Sequence, residues 1–294
     1  MTAAPIGDRV ALVTGAARGI GAATARELAA RGMRVALVGL EPDRLAALAD
    51  ELGPDHIWAA CDVTDQDAVD AAVRATVQRL GGIDVLVANA GVAHHGTVAT
   101  TPVSALARTI EVNLIGTVRT VSAAIGPVIE RRGYLLLVSS AAAFTAMPGM
   151  AAYAASKAGV EQFGNGLRLE VAHKGVAVGV AHMTWVDTDL VRDLKDDLPS
   201  FRAELARMPG PFGAYTAVDE CARAFADAVE GRARQVFVPA SLAAAEADRA
   251  AALGGRDDPA LLRQAARLVP ALEAEAAGLR RHFGTHSVGP GGPL

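Results

Sequence analysis

The sequence has few of the residues that define the specialised classes of protein. Its two cysteines, Cys61 and Cys221, lie far apart in 294 residues, which excludes a disulfide-rich scaffold and a cysteine metal site. Aromatic residues make up 4%, and no apolar run approaches the roughly 20 residues that cross a bilayer. The N-terminal segment lacks the apolar core of a signal peptide. We therefore expect a soluble, cytoplasmic protein.

Positive charge is also scarce. The 28 basic residues are outnumbered by 32 acidic ones, so the chain has no basic footprint of the kind that binds nucleic acid. Lysine occurs only at Lys157, Lys174 and Lys195, which makes each lysine worth attention. Hydrophobic residues, in contrast, make up 51% and supply a sizeable core. The expected partner is a small molecule, with no nucleic acid and no membrane.

Short apolar segments alternate with Ala-rich segments of helical spacing. Strands that are apolar throughout are buried on both faces, and a strand–helix–strand series predicts a parallel sheet. We predict an α/β fold with a single Rossmann-type doubly wound parallel sheet of about seven strands. The predicted strands are Arg9–Thr14, Arg34–Gly39, His56–Ala60, Asp84–Ala88, Tyr134–Ser139, Val176–His182 and Gln235–Val238.

The helix predictions complete this plan and divide the chain. Thr64 is the predicted N-cap of a helix that starts at Asp65. The two longest predicted helices are Val103–Arg131 and Ala151–His173. We place a dinucleotide-binding catalytic domain at residues 1–240 and a helical C-terminal extension at 241–294, with two amphipathic helices and a disordered end.

A glycine-rich turn follows the first strand and opens a helix. Gly15 permits the tight turn, Gly19 lets the backbone approach a pyrophosphate, and Gly21 lets the helix pack closely on the strand. The backbone at Ile20 then lies in the helix N-terminus, where N–H groups face an anion. This context, at the start of a βαβ series, predicts dinucleotide binding.

The residue that meets the adenosine ribose is less clear. Glu41, just after the second strand, is placed to accept hydrogen bonds from ribose hydroxyls, whereas Arg18 in the glycine turn is placed to meet a 2′-phosphate. Each also has a plain interpretation, as a helix-start residue and a surface arginine. The cofactor is therefore NAD or NADP, with a slight preference for NAD.

A tyrosine and a lysine carry the predicted chemistry. Tyr153 and Lys157 are four residues apart, on one face of a predicted helix. An ammonium beside a phenol lowers the phenol pKa and makes it a general acid or base. Ser140 lies at the carboxyl end of a predicted strand, where open α/β sheets place their ligands.

Together these residues resemble the classical short-chain dehydrogenase/reductase family. The resemblance runs from about Asp8 to Pro239, and the order and spacing of its motifs agree throughout. It is carried by residues 14–21, Cys61-Asp62-Val63, Ala88-Asn89-Ala90-Gly91, Asn113, Ser140, Tyr153 and Lys157.

The resemblance implies a role for each matching residue. Tyr153 would be the general acid/base, Lys157 would lower its pKa and hold the nicotinamide ribose, and Ser140 would position the substrate oxygen. Asn113 would anchor a water that links Lys157 to solvent. Asp62 and Val63 would hold the adenine, Asn89, Ala90 and Gly91 would line the cleft, and Thr188 would meet the nicotinamide carboxamide. Asn89 has an alternative role as a brace within the sheet, and Asp62 as a turn cap.

One segment departs from the family pattern. Met183-Thr184 stands where the family usually has Pro-Gly, in the loop over the nicotinamide. Beyond it, several apolar residues suggest a pocket for a hydrophobic alcohol or ketone, although a plain helical lid explains them equally well. They are Phe144, Met147, Met150, Trp185, Phe201, Met208, Phe212 and Tyr215, with His94 and His95 as residues that either reach substrate or lie exposed in a loop.

The function predicted from these features is hydride transfer between NAD(P) and a hydrophobic secondary alcohol or ketone. The alternative is a regulatory or scaffold protein that binds the dinucleotide without turnover, and a methyltransferase would leave the Tyr–Lys spacing unexplained. The histidines have no ligand partners at metal spacing, so no metal is expected. A homodimer or homotetramer is expected, and for the extension a subunit contact is ranked above an active-site cover or sheet-edge packing.

Overall fold

The computed structural model describes residues 6–208, 210–249 and 259–278. Seven parallel strands form the central sheet in the order β3-β2-β1-β4-β5-β6-β9, which confirms the predicted fold class. The order reverses between β1 and β4, and ligands of open α/β sheets bind at such a point. The strands are β1 Val10–Thr14, β2 Arg34–Gly39, β3 Ile57–Ala60, β4 Val85–Ala88, β5 Tyr134–Val138, β6 Ala177–Met183 and β9 Gln235–Val238, with a separate pair β7 Trp185–Val186 and β8 Tyr215–Thr216.

Helices cover both faces of the sheet. One core cluster packs β1 and β2 against α1, α2 and α9, and a second packs the other face against α3, α5 and α6. Strands β1, β4 and β5, inside the sheet, are buried on both faces and have no polar face. The helices are α1 Gly19–Ala30, α2 Pro42–Leu52, α3 Gln66–Leu80, α4 Val103–Ile110, α5 Gly116–Glu130, α6 Ala151–Val171, α7 Asp189–Asp197, α8 Pro199–Leu205, α9 Val218–Gly231, α10 Leu242–Ala247 and α11 Pro259–Gly278.

The N-cap of α3 differs from the prediction by one residue. Asp65, not Thr64, caps the helix, because its carboxylate accepts hydrogen bonds from the backbone N–H groups of Asp67 and Ala68. Thr64 instead donates its hydroxyl to Asp62.

The cap gives a stability prediction. Asp65→Ala leaves two helix N–H groups without their acceptor and should lower the free energy of unfolding by about 1 kcal/mol. Urea unfolding checks it, with Asp50→Ala on exposed helix surface as the control. A loss equal in both variants would contradict the assigned cap.

The predicted helix Val103–Arg131 is continuous but irregular. One π-helical turn, Glu111–Ile115, separates α4 from α5 and contains Asn113. Such turns are rare and occur mostly within α-helices at functional sites. By length and composition Val103–Glu130 also passes the test for a membrane span, contrary to the expectation from apolar runs. A core helix passes the same test, and this one packs against α3 and α6.

The described part of the C-terminal extension contains two helices, α10 and α11. Leu242 of α10 is fully buried beside Phe144, near the edge strand β9. Leu268 and Leu272 of α11 are buried against α7 and α8. The described part of the extension therefore packs on its own chain, at the sheet edge and over the segment after β7. The predicted disordered end lies outside the described residues.

Candidate active site

The glycine-rich turn connects β1 to α1 in a very tight arrangement. Gly15 has φ +66°, and a Cβ there would lie 2.9 Å from the Ala90 Cα. A Cβ on Gly21 would lie 2.2 Å from the carbonyl oxygen of Gly15. Both positions therefore exclude side chains, as the sequence predicts. Gly19 also has a positive φ, of +55°, and approaches Thr188.

A cleft of about 270 Å³ opens at this turn. Arg18 is the N-cap of α1 and makes no side-chain capping hydrogen bond, so the first-turn N–H groups remain available to an anion. The cleft runs from the turn, past the ends of β2, β3 and β4, to Tyr153 and Lys157. The predicted cofactor residues that line it are Gly15, Arg18, Gly19, Ile20, Glu41, Asp62, Val63, Asn89, Ala90, Gly91, Tyr153, Lys157 and Thr188.

Asn89 braces the sheet as well as lining the cleft. Its side-chain Nδ2 donates to the Thr14 carbonyl at 2.9 Å, and its backbone N–H donates to the Thr14 hydroxyl at 3.0 Å. The Ala90 N–H donates to the same hydroxyl. These bonds join the ends of β1 and β4, where the strand order reverses, and they hold the glycine turn in place.

Glu41 and Arg18, the two candidates for the ribose end, contact each other. An Arg18 nitrogen lies 3.1 Å from a Glu41 carboxylate oxygen, and both side chains are largely buried at the cleft wall. The two groups are therefore neighbours at one end of the cleft. A carboxylate favours ribose hydroxyls there, whereas a free guanidinium favours a phosphate.

Asp62 caps a turn, which is the alternative role that we predicted for it from the sequence. Its carboxylate accepts from the Thr64 N–H and hydroxyl and forms an ion pair with Arg108 at 3.1 Å. Burial raises the pKa of Asp62, but these hydrogen bonds and the Arg108 charge outweigh it, so the pKa lies below its usual value. Arg108 lines the cleft and was missed, because nothing in its local sequence marks it.

Lys157 is buried at the floor of the cleft. Its ammonium donates to the Val138 carbonyl at 2.9 Å and lies 5.8 Å from the centre of the Tyr153 ring. Burial lowers the pKa of Lys157 to about 8. A Cβ on Gly91 would lie 3.5 Å from the ammonium nitrogen, so the glycine leaves this side of the lysine open.

The Asn113 side chain is committed to the protein. It donates to the Val92 carbonyl and to the Ser156 hydroxyl, and it accepts from the Val92 N–H at 2.8 Å. Its backbone carbonyl accepts from the Thr117 hydroxyl. The side-chain oxygen accepts one hydrogen bond and has a second lone pair, so it is an acceptor that the residue can offer to a water.

Ser140 and Tyr153 form the polar pair above Lys157. Burial raises the pKa of Tyr153, and a hydrogen bond with Ser140 lowers it, leaving the pKa above its ordinary value. This differs from the expectation that Lys157 would lower it, because burial is the largest influence on the phenol and Ser140 is the group that opposes it. The Ser140 hydroxyl also accepts from the Ala142 N–H, the start of the short helical turn Ala141–Ala143.

The Met183-Thr184 segment, which departs from the family pattern, forms part of the cleft wall. Both residues line the cleft, and the Ser140 hydroxyl donates to the Met183 carbonyl at 3.4 Å. The Thr184 N–H donates to the Val238 carbonyl, which fixes the segment to β9. Thr188 follows at the N-terminus of α7, beside Gly19, so the loop reaches the glycine turn.

The predicted apolar residues divide into two clusters. Met147, Trp185, Phe201 and Met208 pack with leucines of α7, α8 and α11, whereas Phe144 and Phe212 pack with Leu242 of α10. Met150 is buried, and Tyr215 is 40% exposed, with the Lys195 ammonium over its ring. The first cluster, termed the roof, is composed of Met147, Trp185, Leu194, Leu198, Phe201, Leu205, Met208, Leu268 and Leu272.

The roof is attached to the loop that precedes α6. A Cβ on Gly149, four residues before Tyr153, would lie 3.0 Å from the Leu272 side chain. Two hydrogen bonds of 2.8 Å and 2.7 Å, Thr97 to Glu273 and Ser200 to Glu275, fix α11 to the β4–α4 loop and to α8. Helix α11 covers this loop of its own chain, and the subunit contact expected for the extension stays a prediction.

The histidines contact aromatic residues and hydroxyls. His94 is buried and lies 3.1 Å from the Thr101 hydroxyl, and the His95 ring lies 5.6 Å from the Phe201 ring. Burial lowers the pKa of His95 to about 3, so its imidazole is neutral. Within the described ranges, no group of three His, Cys, Asp or Glu side chains is arranged to hold a metal ion.

A family model settles the classification. The model for short chain dehydrogenases matches residues 9–199, well over half of the chain. The protein belongs to the short-chain dehydrogenase/reductase family. Members of this family bind NAD(P), act on small-molecule substrates and are typically oligomeric.

Three named relatives show the range of substrates. The chain is 33% identical over 201 residues to the 3-oxoacyl-[acyl-carrier-protein] reductase of Bos taurus, covering 68% of this chain and 85% of the relative. It is 34% identical over 199 residues to the trans-4-hydroxycyclohexanecarboxylate dehydrogenase of Sinomonas cyclohexanicum, covering 65% and 77%. Against the glycine betaine reductase ATRR of Emericella nidulans identity is 37% over 191 residues, 64% of this chain but only 15% of the relative.

A solved structure agrees with the fold. The crystal structure of gox2181 superposes with a TM-score of 0.73 at 27% identity, covering 80% of this chain and 96% of that one. The agreement confirms the Rossmann-type sheet and its helical layers.

Proposed function

We propose that the protein interconverts a hydrophobic secondary alcohol and its ketone, with NAD(P) as the hydride carrier. The observation that carries the proposal is one cleft that starts at an uncapped helix N-terminus and ends at Tyr153 and the buried Lys157. When bound, the nicotinamide supplies or accepts the hydride. The protein supplies binding, orientation and proton transfer.

Tyr153 is the proposed general acid and base. In reduction its hydroxyl protonates the carbonyl oxygen as negative charge develops there, and in oxidation its phenolate takes the alcohol proton. Ser140 hydrogen-bonds the same substrate oxygen and so fixes it within reach of Tyr153. The raised pKa of Tyr153 keeps the phenol protonated in the ligand-free protein, ready for reduction.

Lys157 and Asn113 have proposed roles in proton transfer and in cofactor binding. The Lys157 ammonium, held by the Val138 carbonyl, is placed to hold the nicotinamide ribose and to stabilise a phenolate at Tyr153. Asn113 would anchor a water that returns protons from solvent to Lys157. The π-helical turn supports this role because it distorts the regular helical pairing at Asn113.

The residues of the cleft fit a dinucleotide. The uncapped N-terminus of α1 suits the pyrophosphate, and positive φ at Gly15 and Gly19 keeps side chains away from it. Glu41 supports NAD because its carboxylate occupies the ribose end and pairs with the arginine that a 2′-phosphate would need. We therefore favour NAD over NADP.

The roof is the feature from which we infer a hydrophobic substrate. Its apolar side chains pack on one another, and Leu272 reaches the loop that precedes Tyr153. The dehydrogenase from Sinomonas cyclohexanicum, whose name specifies a ring-bearing secondary alcohol, shows that related chains act on such compounds. We propose a cytoplasmic homodimer or homotetramer as the working form.

A substrate panel tests the proposed reaction. Purified protein is titrated with NADH and NADPH by fluorescence and then assayed with acetophenone, cyclohexanone, a long-chain methyl ketone and, for contrast, hydroxyacetone. We expect NADH to bind and the apolar ketones to be reduced faster than hydroxyacetone. Binding without turnover favours the dinucleotide-binding scaffold, and faster reduction of hydroxyacetone contradicts the proposed hydrophobic substrate.

The ribose end gives a second prediction. Glu41→Arg removes the ribose acceptor and frees Arg18 from its ion pair, so the ratio of the NADPH and NADH dissociation constants should move toward NADPH by about tenfold, equivalent to ~1.4 kcal/mol. Glu51→Arg makes the same charge change in the exposed Arg26–Glu51 pair outside the cleft. An equal shift in both variants would mean that overall charge, and not Glu41, sets the preference.

A further inference from the structure

A buried charged cluster lies behind the site, one helical turn beyond Lys157. Glu161 follows Tyr153 and Lys157 at intervals of four residues on α6, and it is only 5% exposed. Burial raises the pKa of Glu161, but the neighbouring His182 and Arg249 outweigh it and lower the pKa to about 2. A buried carboxylate is strongly destabilising without such partners.

Arg249 supplies the main partner from the extension. Just beyond α10, it donates to both oxygens of Glu161, at 2.8 Å and 2.9 Å, and to the carbonyl of Ala143 at 3.2 Å. Glu246 is the other charged group acting on it. One guanidinium therefore joins the helix of Tyr153 to the turn Ala141–Ala143, and planar bidentate pairing fixes the relative position of both.

The remaining contacts surround the same turn. His182 of β6 is fully buried, with its Nε2 3.8 Å from a Glu161 oxygen and its ring stacked on Phe237 at 5.4 Å. Phe144, at the end of the turn, packs on His182 and on Leu242 of α10. The turn begins at Ser140, whose hydroxyl accepts from the Ala142 N–H.

From this geometry we propose that Arg249 is a positioning residue for Ser140. By joining Glu161 to the Ala143 carbonyl, it holds the Ser140 turn against α6, so that the serine hydroxyl meets Tyr153. The extension is then part of the reaction machinery, although Arg249 touches neither cofactor nor substrate. This inference rests on the proposed roles of Ser140 and Tyr153, but its test needs no substrate.

The test is Arg249→Met, read by two measurements on the ligand-free protein. Ultraviolet difference titration measures the Tyr153 pKa. Each protein is compared with a variant of itself that also carries Tyr153→Phe. The titration is limited to the alkaline pH range in which circular dichroism shows an intact fold. Loss of the Ser140 hydrogen bond should raise that pKa by about one unit, the scale of one hydrogen bond to a charged group. Hydrogen exchange of a peptide covering residues 140–144 should become faster.

A second variant separates geometry from charge. Glu161→Gln with Arg249→Met removes one charge of each sign, so no unpaired carboxylate is left buried. We expect the raised Tyr153 pKa and the fast exchange to persist in it. A return of both to wild-type values would show that Arg249 only balances Glu161 and would overturn the proposal.

The control is Arg26→Met, which breaks a bidentate arginine–glutamate pair on the exposed surface. It should leave both measurements unchanged. If Arg249→Met does not fold, the double variant is measured alone, and unchanged values there overturn the proposal as well. A failure of the ketone panel alongside a shifted Tyr153 pKa would count against the proposed substrate and not against Arg249.

Discussion

Tyr153→Phe should abolish most turnover while leaving cofactor affinity unchanged. The phenol hydroxyl is the only group that the substitution removes, and general acid–base catalysis by such a group contributes about 10²–10⁴-fold to the rate. The ring remains, so its packing above Lys157 is kept. The measurement is kcat for the best ketone of the panel, beside the NADH dissociation constant from fluorescence.

The matched control is Tyr215→Phe, the same change in a tyrosine that is 40% exposed and pairs with Lys195. It should retain wild-type turnover. Wild-type kcat in Tyr153→Phe would refute the assigned role. A weakened NADH affinity with unchanged kcat would instead make Tyr153 a cofactor-binding residue.

Gly21→Ala should weaken both cofactor binding and the fold. Its Cβ would lie 2.2 Å from the Gly15 carbonyl oxygen and 2.6 Å from the Asn89 Nδ2, so the glycine turn or its brace has to move. Overpacking of this kind costs about 1–3 kcal/mol, and each ~1.4 kcal/mol lost from binding is tenfold in affinity. The measurements are thermal unfolding and the NADH dissociation constant.

Gly166→Ala in α6 is the appropriate control, because nothing lies within 4 Å of the added Cβ. It should stabilise the protein by about 0.4–1 kcal/mol, through the smaller conformational freedom of the unfolded chain. If Gly21→Ala has the same thermal stability and NADH affinity as Gly166→Ala, then the close contact between Gly21 and the Gly15 carbonyl does not constrain the glycine turn.

The sheet could be predicted because its signal is local. An entirely apolar run between helical segments identifies a strand buried on both faces, and all seven predicted strands are present with ends within one residue. Helix ends were harder, since Thr64 and Asp65 are both good caps and only the fold decides between them. The π-helical turn at Asn113 leaves no periodic signal in the sequence.

The candidate site was predictable where motif spacing determines position and not where contacts join distant segments. The glycine turn could be found from its place between a strand and a helix, and Tyr153 and Lys157 from their spacing together with Ser140, the rarity of lysine and the family resemblance. Arg108, Glu161 and Arg249 could not be found in this way. Arg108 pairs with Asp62, 46 residues away in the sequence, and Arg249 pairs with Glu161, 88 residues away. The upward shift of the Tyr153 pKa also could not be predicted, because it depends on burial, which is known only once the fold is known.

Five of the nine roof residues come from a different stretch of the chain than the chemistry beneath them. Residues matched by the family model end at 199, whereas Phe201, Leu205, Met208, Leu268 and Leu272 all follow that point. On the proposed function, part of the surface that selects the substrate therefore lies outside the segment that carries the reaction. We expect a hybrid that joins residues 1–199 to the following segment of a relative to keep the reaction of the first parent and to take on part of the substrate preference of the second.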